Sequence, residues 1–230
     1  MMSMKDDILT YREMCDAENV QTIQRGMNYR LHPSYTVVLM SQRTNAPYRD
    51  EILQDGLTIV YEGHDQPKSK DVEDPKHVDQ LSRTLKGTLT QNGKFVEAVK
   101  RYQDGDSPER VKVFEKLFSG VWSYKGLFLL QDYRIEEVDG RDVFKFYLTL
   151  SAEQQLGGKA LLPSRSRIIP TEIKKLVWQR DHGRCVMCGA TDELHFDHDI
   201  PYSKGGTSIT ADNVRILCAR HNLGKSDKIE

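Results

Sequence analysis

Near its end the chain places a Cys-x-x-Cys pair, Cys185 and Cys188, and then a Cys-x-x-His pair, Cys218 and His221. No other feature restricts the fold so strongly. Pairs at this spacing let both side chains of a turn converge on one ion, and three thiolates with one imidazole match a tetrahedral zinc site. The competing reading is buried core cysteines beside an unrelated histidine, which seldom fall into paired spacing by chance. Only one further cysteine exists, a usage unlike the disulfide framework of a secreted domain. Between the pairs lie 29 residues, more than a simple finger needs, so another unit is expected inside the loop that zinc closes.

That enclosed segment is ELHFDHDIPYSKGGTSITADNV. Alternation at Leu194, Phe196 and His198 predicts a strand. Gly205-Gly206 predicts a turn, and Asp212-Asn213 precedes a helix expected to begin near Val214. The order is a strand ending in Asp197-His198, then Pro-x-Ser-x-Gly-Gly, then Asn213, then Cys218-x-x-His221-Asn222-x-x-Lys225. It resembles the HNH endonucleases of the ββα-metal fold over roughly residues 171–228. The resemblance implies that His198 is the general base, since an imidazole can take a proton from water at neutral pH. It implies that Asp197 and Asn222 hold Mg²⁺ or Mn²⁺ through oxygen atoms, and that Asn213 ties the loop and orients His198. Arg220 and Lys225 would meet phosphates. Zinc-containing relatives usually carry cysteine where His221 stands. His221 is therefore either the fourth zinc ligand, favoured by its spacing from Cys218, or a catalytic-metal ligand. His195 is read as packing or substrate contact.

The remainder is organised differently. Residues 4–25 read as an amphipathic helix burying Ile8, Leu9, Met14, Cys15 and Ile23, with Gly26 as its stop. From Tyr35 to Leu150 short β-rich runs follow: TVVLM, GLTIVY, RVKVFEKL, GLFLLQDY and DVFKFYLTL. Asp-Gly in EVDGRD predicts a hairpin. One helical stretch carries Phe95, Val96, Ala98, Val99 and Tyr102 on one face, with Asn92 as cap and Gly105 as stop. Residues 151–170 read as a linker, and Thr171 would cap a helix with Ile173, Leu176 and Val177 on its packed side.

Within the β-rich part, Tyr124-Lys125-Gly126, Tyr61-Glu62-Gly63 and Asp79-Gln80 stand in the order of the Tyr-Asp-Gly, Tyr-Thr-Gly and Asp-Gln motifs of SRA (YDG) domains. This second resemblance, over roughly residues 32–150, implies a PUA-like fold that flips a modified cytosine out of DNA. A flipped pyrimidine must be stacked between flat side chains and read on its Watson–Crick edge. Tyr48 and Tyr61 would be the walls, Asp50 or Glu51 the acceptor for the amino group, and the backbone around Glu62 the rest of the edge. Each tyrosine alone reads equally as a half-buried strand aromatic. The polar stretch 64–80 is a long loop of the kind that often carries function; Lys68 and Lys70 would enter a groove or occupy the vacated stack, and an ordinary disordered surface loop is the competing reading.

The expected fold class is α+β: an SRA/PUA-like curved β-barrel followed by a small zinc-stabilised ββα-metal domain. Its segments are an N-terminal helix (1–28), a recognition domain (29–150), a linker (151–170) and an endonuclease domain (171–230). The expected function is a modification-dependent restriction endonuclease acting on double-stranded DNA with 5-methyl- or 5-hydroxymethylcytosine. Two rivals stand beside it: a non-cleaving modified-DNA module, and a nuclease acting on RNA. The intact Asp197, His198, Asn213 and Asn222 argue against the first, because a clamp needs no base. A net charge of −1 is neutral on the matter of nucleic acid, although residues 163–184 set six basic against two acidic side chains. That bias reads either as a phosphate-binding patch or as a solvated linker and helix face. Apolar runs are too short to span a bilayer. The N-terminal residues lack the pattern of a secretory signal, and the expected compartment is the cytoplasm. One HNH site attacks one strand, and the apolar residues of 4–25 need a partner, so a homodimer is expected; packing of 4–25 on the chain's own β domain is the alternative.

Overall fold

The structure is a computed structural model and describes residues 6–151, 168–200 and 206–225. It opens with strand β1 (Asp6–Leu9) and helix α1 (Tyr11–Ala17). The single helix expected over 4–25 is therefore a strand and a short helix. Thr10 is the reason: its Oγ1 accepts from the Glu13 N–H at 3.2 Å, while Glu13 Oε2 accepts from the Thr10 N–H at 2.7 Å. Such a capping box fixes a helix start at that residue. The apolar positions were read correctly, since Ile8, Met14, Cys15 and Ile23 are buried and Leu9 half-buried. They pack within this chain, against Val37, Phe114, Trp122 and neighbours, so they do not call for a partner.

Next come β2 (Met27–His32), β3 (Tyr35–Met40), β4 (Glu51–Ile52) and β5 (Thr58–Glu62). Helix α2 (Gln91–Gln103) follows, then β6 (Glu109–Phe118), β7 (Val121–Val138) and β8 (Arg141–Leu150). The cap of α2 is Thr90, whose side chain accepts from the Gly93 N–H, and not Asn92. Asn92 instead lies buried inside the first turn and holds another loop. Gly105 ends the helix at φ +106°, a conformation glycine adopts without a Cβ penalty. Asp139 and Gly140, both at positive φ, make the β7–β8 hairpin turn.

The third segment comprises α3 (Thr171–Arg180), β9 (Leu194–His198), β10 (Val214–Cys218) and α4 (Ala219–Lys225). The helix expected near Val214 is β10, antiparallel to β9 from Val214–His198 to Cys218–Leu194, and the helix begins five residues later. Pro170, not Thr171, stands at the cap of α3. Of its expected packed side, Val177 is buried and Ile173 half-buried, but Leu176 is exposed while Lys174 is fully buried. Most of the expected linker lies outside the described residues, yet its end, Ile168 and Ile169, is buried.

All ten strands join one sheet among the described residues, in the order β10-β9-β1-β7-β6-β3-β2, with β8 on β7, β5 on β8 and β4 on β5. Among the described residues, β3–β6 is the one parallel pairing, and the long β7 and β8 form the hairpin of the barrel, which packs on α2. Phe95, Val99, Val111, Phe128, Phe146 and Leu148 fill that barrel. β1 pairs on one side with β7 (Ile8–Ser123) and on the other with β9 (Asp7–His195). This short strand carries the hydrogen-bonded sheet from the barrel into the Cys/His segment. A second core beneath it joins Leu117 of β6 to Ile8, Ile169, Val177, Phe196 and Ile216.

Candidate functional site

Cys185 and Cys188 sit in the turns after α3, and Cys218 and His221 at the end of β10 and the start of α4, so hairpin pairing brings the halves together. The four ligand atoms lie within 4.8 Å of one another. Cys188 Sγ and Cys218 Sγ are 3.8 Å apart, and His221 Nδ1 is 3.4 Å from Cys185 Sγ and 3.3 Å from Cys218 Sγ. Zn–S bonds of about 2.3 Å in a tetrahedron place sulfurs about 3.8 Å apart, so the residues fit the ion. Burial alone would raise the Cys185 thiol, but backbone N–H groups of Cys218, Met187 and Cys188, with the His221 ring, bring it to about 6. A thiol so lowered is a ready metal ligand.

The second expected group gathers at the far end of β9. His198 closes the strand with Nε2 2.9 Å from the buried Ser208 Oγ. Asn213 spans the intervening loop: its Oδ1 accepts from the Ile200 N–H at 2.8 Å, and its Nδ2 donates to Thr207 O at 2.9 Å and Ile200 O at 3.3 Å. A Cβ on Gly206 would lie 1.9 Å from the Ile200 carbonyl oxygen, so only glycine lets the loop close there. Asp197 and Asn222 are both buried, one on β9 and one on α4. Their oxygens are the donor type a hard divalent cation takes.

Lys225 departs from expectation. It is buried, not at the surface, with Nζ 2.6 Å from Asp197 Oδ2 and donating also to the His198 carbonyl. Its ammonium compensates a buried carboxylate, and a cation on Asp197 would compete with it. Arg220 is exposed. Of the basic residues of 163–184 that the structure describes, Lys174, Lys175 and Arg180 are engaged within the chain. Lys174 Nζ donates to Ser123 Oγ at 2.8 Å, Lys175 pairs with Glu172 at 2.8 Å, and Arg180 holds the Ala211 and Val214 carbonyls at 2.8 and 2.6 Å.

In the barrel, Tyr48, Asp50, Tyr61 and Glu62 converge, whereas Glu51 is exposed on β4. Asp50 is thus the inward carboxylate of the two. Its Oδ2 accepts from the Ser41 N–H at 3.0 Å and its Oδ1 from the Glu62 N–H at 3.1 Å. The Glu62 N–H expected to help read a base edge is engaged with Asp50. Burial raises Asp50 to about 7, with the Glu62 carboxylate adding and the two backbone donors opposing. Glu62 Oε2 in turn accepts from Lys145 Nζ at 2.8 Å and from the Arg49 N–H at 3.1 Å.

Tyr61 is 1% exposed and belongs to the barrel core. Tyr48 is half-buried, faced by the His64 ring and by Lys76 Nζ at 4.3 Å from its centroid. Lys76 is tied to Asp65 at 2.7 Å. Gln80 explains the glycine of Tyr-Glu-Gly: its Nε2 donates to Gly63 O at 2.7 Å, and a Cβ on Gly63 would lie 2.6 Å from its Oε1. Lys68 and Lys70 are exposed on the 64–80 loop. Sequence reasoning missed His64, Ser208 and the buried pairing of Lys225; an isolated histidine, serine or lysine carries no periodic signal.

A search of curated proteins finds no relative. Among solved structures, the SUVH5 SRA–hemimethylated CG DNA complex is 22% identical, covering 62% of this chain and 85% of that one at a TM-score of 0.42. The SUVH5 SRA–fully methylated CG DNA complex is 20% identical, covering 64% and 88% at 0.43. SUVH5 SRA bound to fully hydroxymethylated CG DNA is 19% identical, covering 62% and 85% at 0.42. The family model for HNH endonucleases matches residues 185–228, a stretch that holds the cluster of Cys185, Cys188, Cys218 and His221 together with His198, Asn213 and Asn222.

Proposed function

We propose that the chain is a modification-dependent endonuclease, in which the barrel binds a flipped modified cytosine and the HNH segment hydrolyses phosphodiester bonds of DNA. The observation that carries the reading is His198, held by Ser208 at the end of β9 next to the buried Asp197. If Nε2 donates to Ser208 Oγ, Nδ1 is the lone-pair nitrogen of the neutral ring. His198 then takes a proton from water, whose oxygen attacks phosphorus as the P–O bond to the leaving oxygen breaks. Asn213 keeps the loop closed, which fixes the strand end that carries His198. A divalent cation, Mg²⁺ or Mn²⁺, on Asp197 and Asn222 would supply charge stabilisation at the phosphate. Zinc on Cys185, Cys188, Cys218 and His221 would be structural, since four protein ligands leave no open position. Arg220, Lys68 and Lys70 are exposed and available to phosphates.

In the barrel, Tyr48 offers a stacking face, Asp50 an inward carboxyl, and Glu62, ion-paired to Lys145 at 2.8 Å and to Arg141 at 3.7 Å, the wall beside them. The placement of reader and nuclease follows the segments 29–150 and 171–230, and the compartment is the cytoplasm, where free thiols persist. A homodimer is part of the reading only through its chemistry: one base and one cation site cut one strand, and a double-strand break needs two chains or two visits. The test is digestion of matched DNAs with unmodified, methylated, hydroxymethylated and glucosylated cytosine, and of RNA, by the wild type and His198→Ala. The variant is expected to fold, retain zinc and bind the preferred DNA without cutting it. Cleavage by His198→Ala at the wild-type rate, or equal cleavage of all substrates, would overturn the reading.

A further inference from the structure

The ring that lies on Tyr48 is His64: the two planes agree within 11° and the centroids are 5.0 Å apart. Tyr61 meets the same imidazole with its hydroxyl, Oη 3.3 Å from Nε2, the planes tilted by 40°. Two rings that sandwich a third stand about 7 Å apart, twice the contact distance of stacked carbons. Tyr48 and His64 leave no such gap. We propose that the His64 imidazole is a placeholder for the flipped base, covering the stacking face of Tyr48 until an extruded base displaces it, so that His64 sets which bases enter. The proposal rests on the reading of Tyr48 as the wall of a modified-base pocket.

The surroundings suit a side chain that turns on a fixed backbone. His64 N–H donates to Asn92 Oδ1 at 2.8 Å, and Asn92 Nδ2 donates to the His64 carbonyl at 2.8 Å. Gln80 pins the preceding residue through the Gly63 carbonyl. Displacement therefore needs only the side-chain torsions of His64. Behind the ring stands Gly26, where a Cβ would lie 2.7 Å from His64 Nε2 and 2.9 Å from Tyr61 Oη. The absence of a side chain at residue 26 is what lets the imidazole lie this deep. Burial holds His64 down at about 4, so the ring is neutral near pH 7 and can leave without stranding a charge.

A site open for only a fraction of the time shows an affinity reduced by that fraction. Removing the placeholder should then tighten binding, whereas removing a wall should weaken it. Full-length chains would be titrated into fluorescent duplexes with one 5-methyl- or 5-hydroxymethylcytosine, whichever the wild type prefers, and into the plain duplex. His64→Ala is expected to lower the apparent Kd for the modified duplex by roughly 3- to 10-fold, with cooperative unfolding retained. Gly26→Ala, which crowds the imidazole out while keeping it, is expected to shift the same way by less, and it decides alone if His64→Ala does not fold. Unchanged or weaker binding by the deciding variant overturns the placeholder. Tyr48→Ala is expected to lose the preference for modified DNA; if it keeps that preference, the pocket reading fails and the placeholder with it. Weaker binding by His64→Ala beside lost preference in Tyr48→Ala sinks the placeholder and leaves the pocket standing.

Discussion

His64 and Asp50 face one pocket, and burial pushes both toward the neutral form, which means opposite directions of pKa. For His64 burial is the main cause of a value near 4, with Arg25 and Lys76 adding and Asp65 opposing. A histidine free in the unfolded chain titrates near 6.5. Between those values the unfolded chain binds more protons than the native one, so stability falls as pH falls. The penalty is absent above about pH 6.5 and complete below about pH 4, and amounts to roughly 2–4 kcal/mol. His64→Gln carries no such proton, so urea unfolding of the two proteins should diverge across that window and run parallel above pH 7. Parallel curves throughout would mean that the ring is solvated when charged. Asp50 does not mimic this signal, because its raised value, about 7, lowers stability as pH rises above the carboxylate range. A second test at this scale concerns zinc. Cys218→Ser removes one of four ligands whose folding energy is coupled to the metal. It should lower bound zinc from about one per chain to near zero by elemental analysis, with loss of the near-ultraviolet signal of Trp178, which packs on the core that contains Cys185, Cys218 and Ile216.

Between elements, the tightest join is ionic. Glu115 of β6 is fully buried, ion-paired to Lys125 Nζ at 2.8 Å, and accepts a hydrogen bond from Thr171 Oγ1 at the start of α3. Lys125 also donates to the Ile169 carbonyl at 3.3 Å, and Lys174 of α3 reaches Ser123 of β7. The positive charges of Lys125 and Lys174 hold the Glu115 carboxyl below its ordinary value against burial. Lys125, the middle residue of Tyr124-Lys125-Gly126, thus serves the carboxylate that receives α3. Glu115→Ala leaves two buried ammonium groups without their partner, a change that typically costs about 3–5 kcal/mol. Thermal unfolding should show that loss, and Glu115→Gln should recover part of it through Thr171. A drop below 1 kcal/mol for Glu115→Ala would mean that water reaches the lysines.

The same elements mark what could be read from sequence. The β-rich runs TVVLM and DVFKFYLTL, the Asp-Gly turn and the face of α2 are all local signals, and the structure has them. The Cys/His spacing is legible because ligands of one ion must sit on tight turns. Periodicity fails where a short signal interrupts it: Thr10-x-x-Glu13 ends β1 and starts α1 inside what reads as one helix. It also fails where a charge is buried, since Lys174 looks like a solvated position until Ser123 and Glu115 come from strands some fifty residues away in sequence. The residue types of the proposed base pocket stand in the sequence, but the seat of His64 depends on contacts with residues 26, 48, 61 and 92 that no local pattern encodes.

At the scale of the molecule, β1 joins the barrel and the Cys/His segment, the proposed reader and nuclease, in one sheet: its residues pair with β7 on one edge and β9 on the other. Ile8 packs with Leu117, Phe196 and Ile216 in the core that both share. Backbone hydrogen bonds on two edges resist hinge motion more than a flexible tether would. A nuclease so mounted should cut at a fixed offset from the modified base. Mapping cleavage ends on a duplex with one modified cytosine should give one or two positions per strand. If His198 is the base proposed above, one per chain would serve one strand, so nicked product should precede the double-strand break, and the second cut should accelerate with enzyme concentration if two chains cooperate. Removing residues 1–9 takes away β1 but leaves Glu115, Thr171 and the whole barrel. The shortened chain should keep its preference for modified DNA while its cut positions spread over several nucleotides. If the positions stay as narrow as in the full chain, the Glu115 join alone positions the nuclease, and the edge strand contributes only stability.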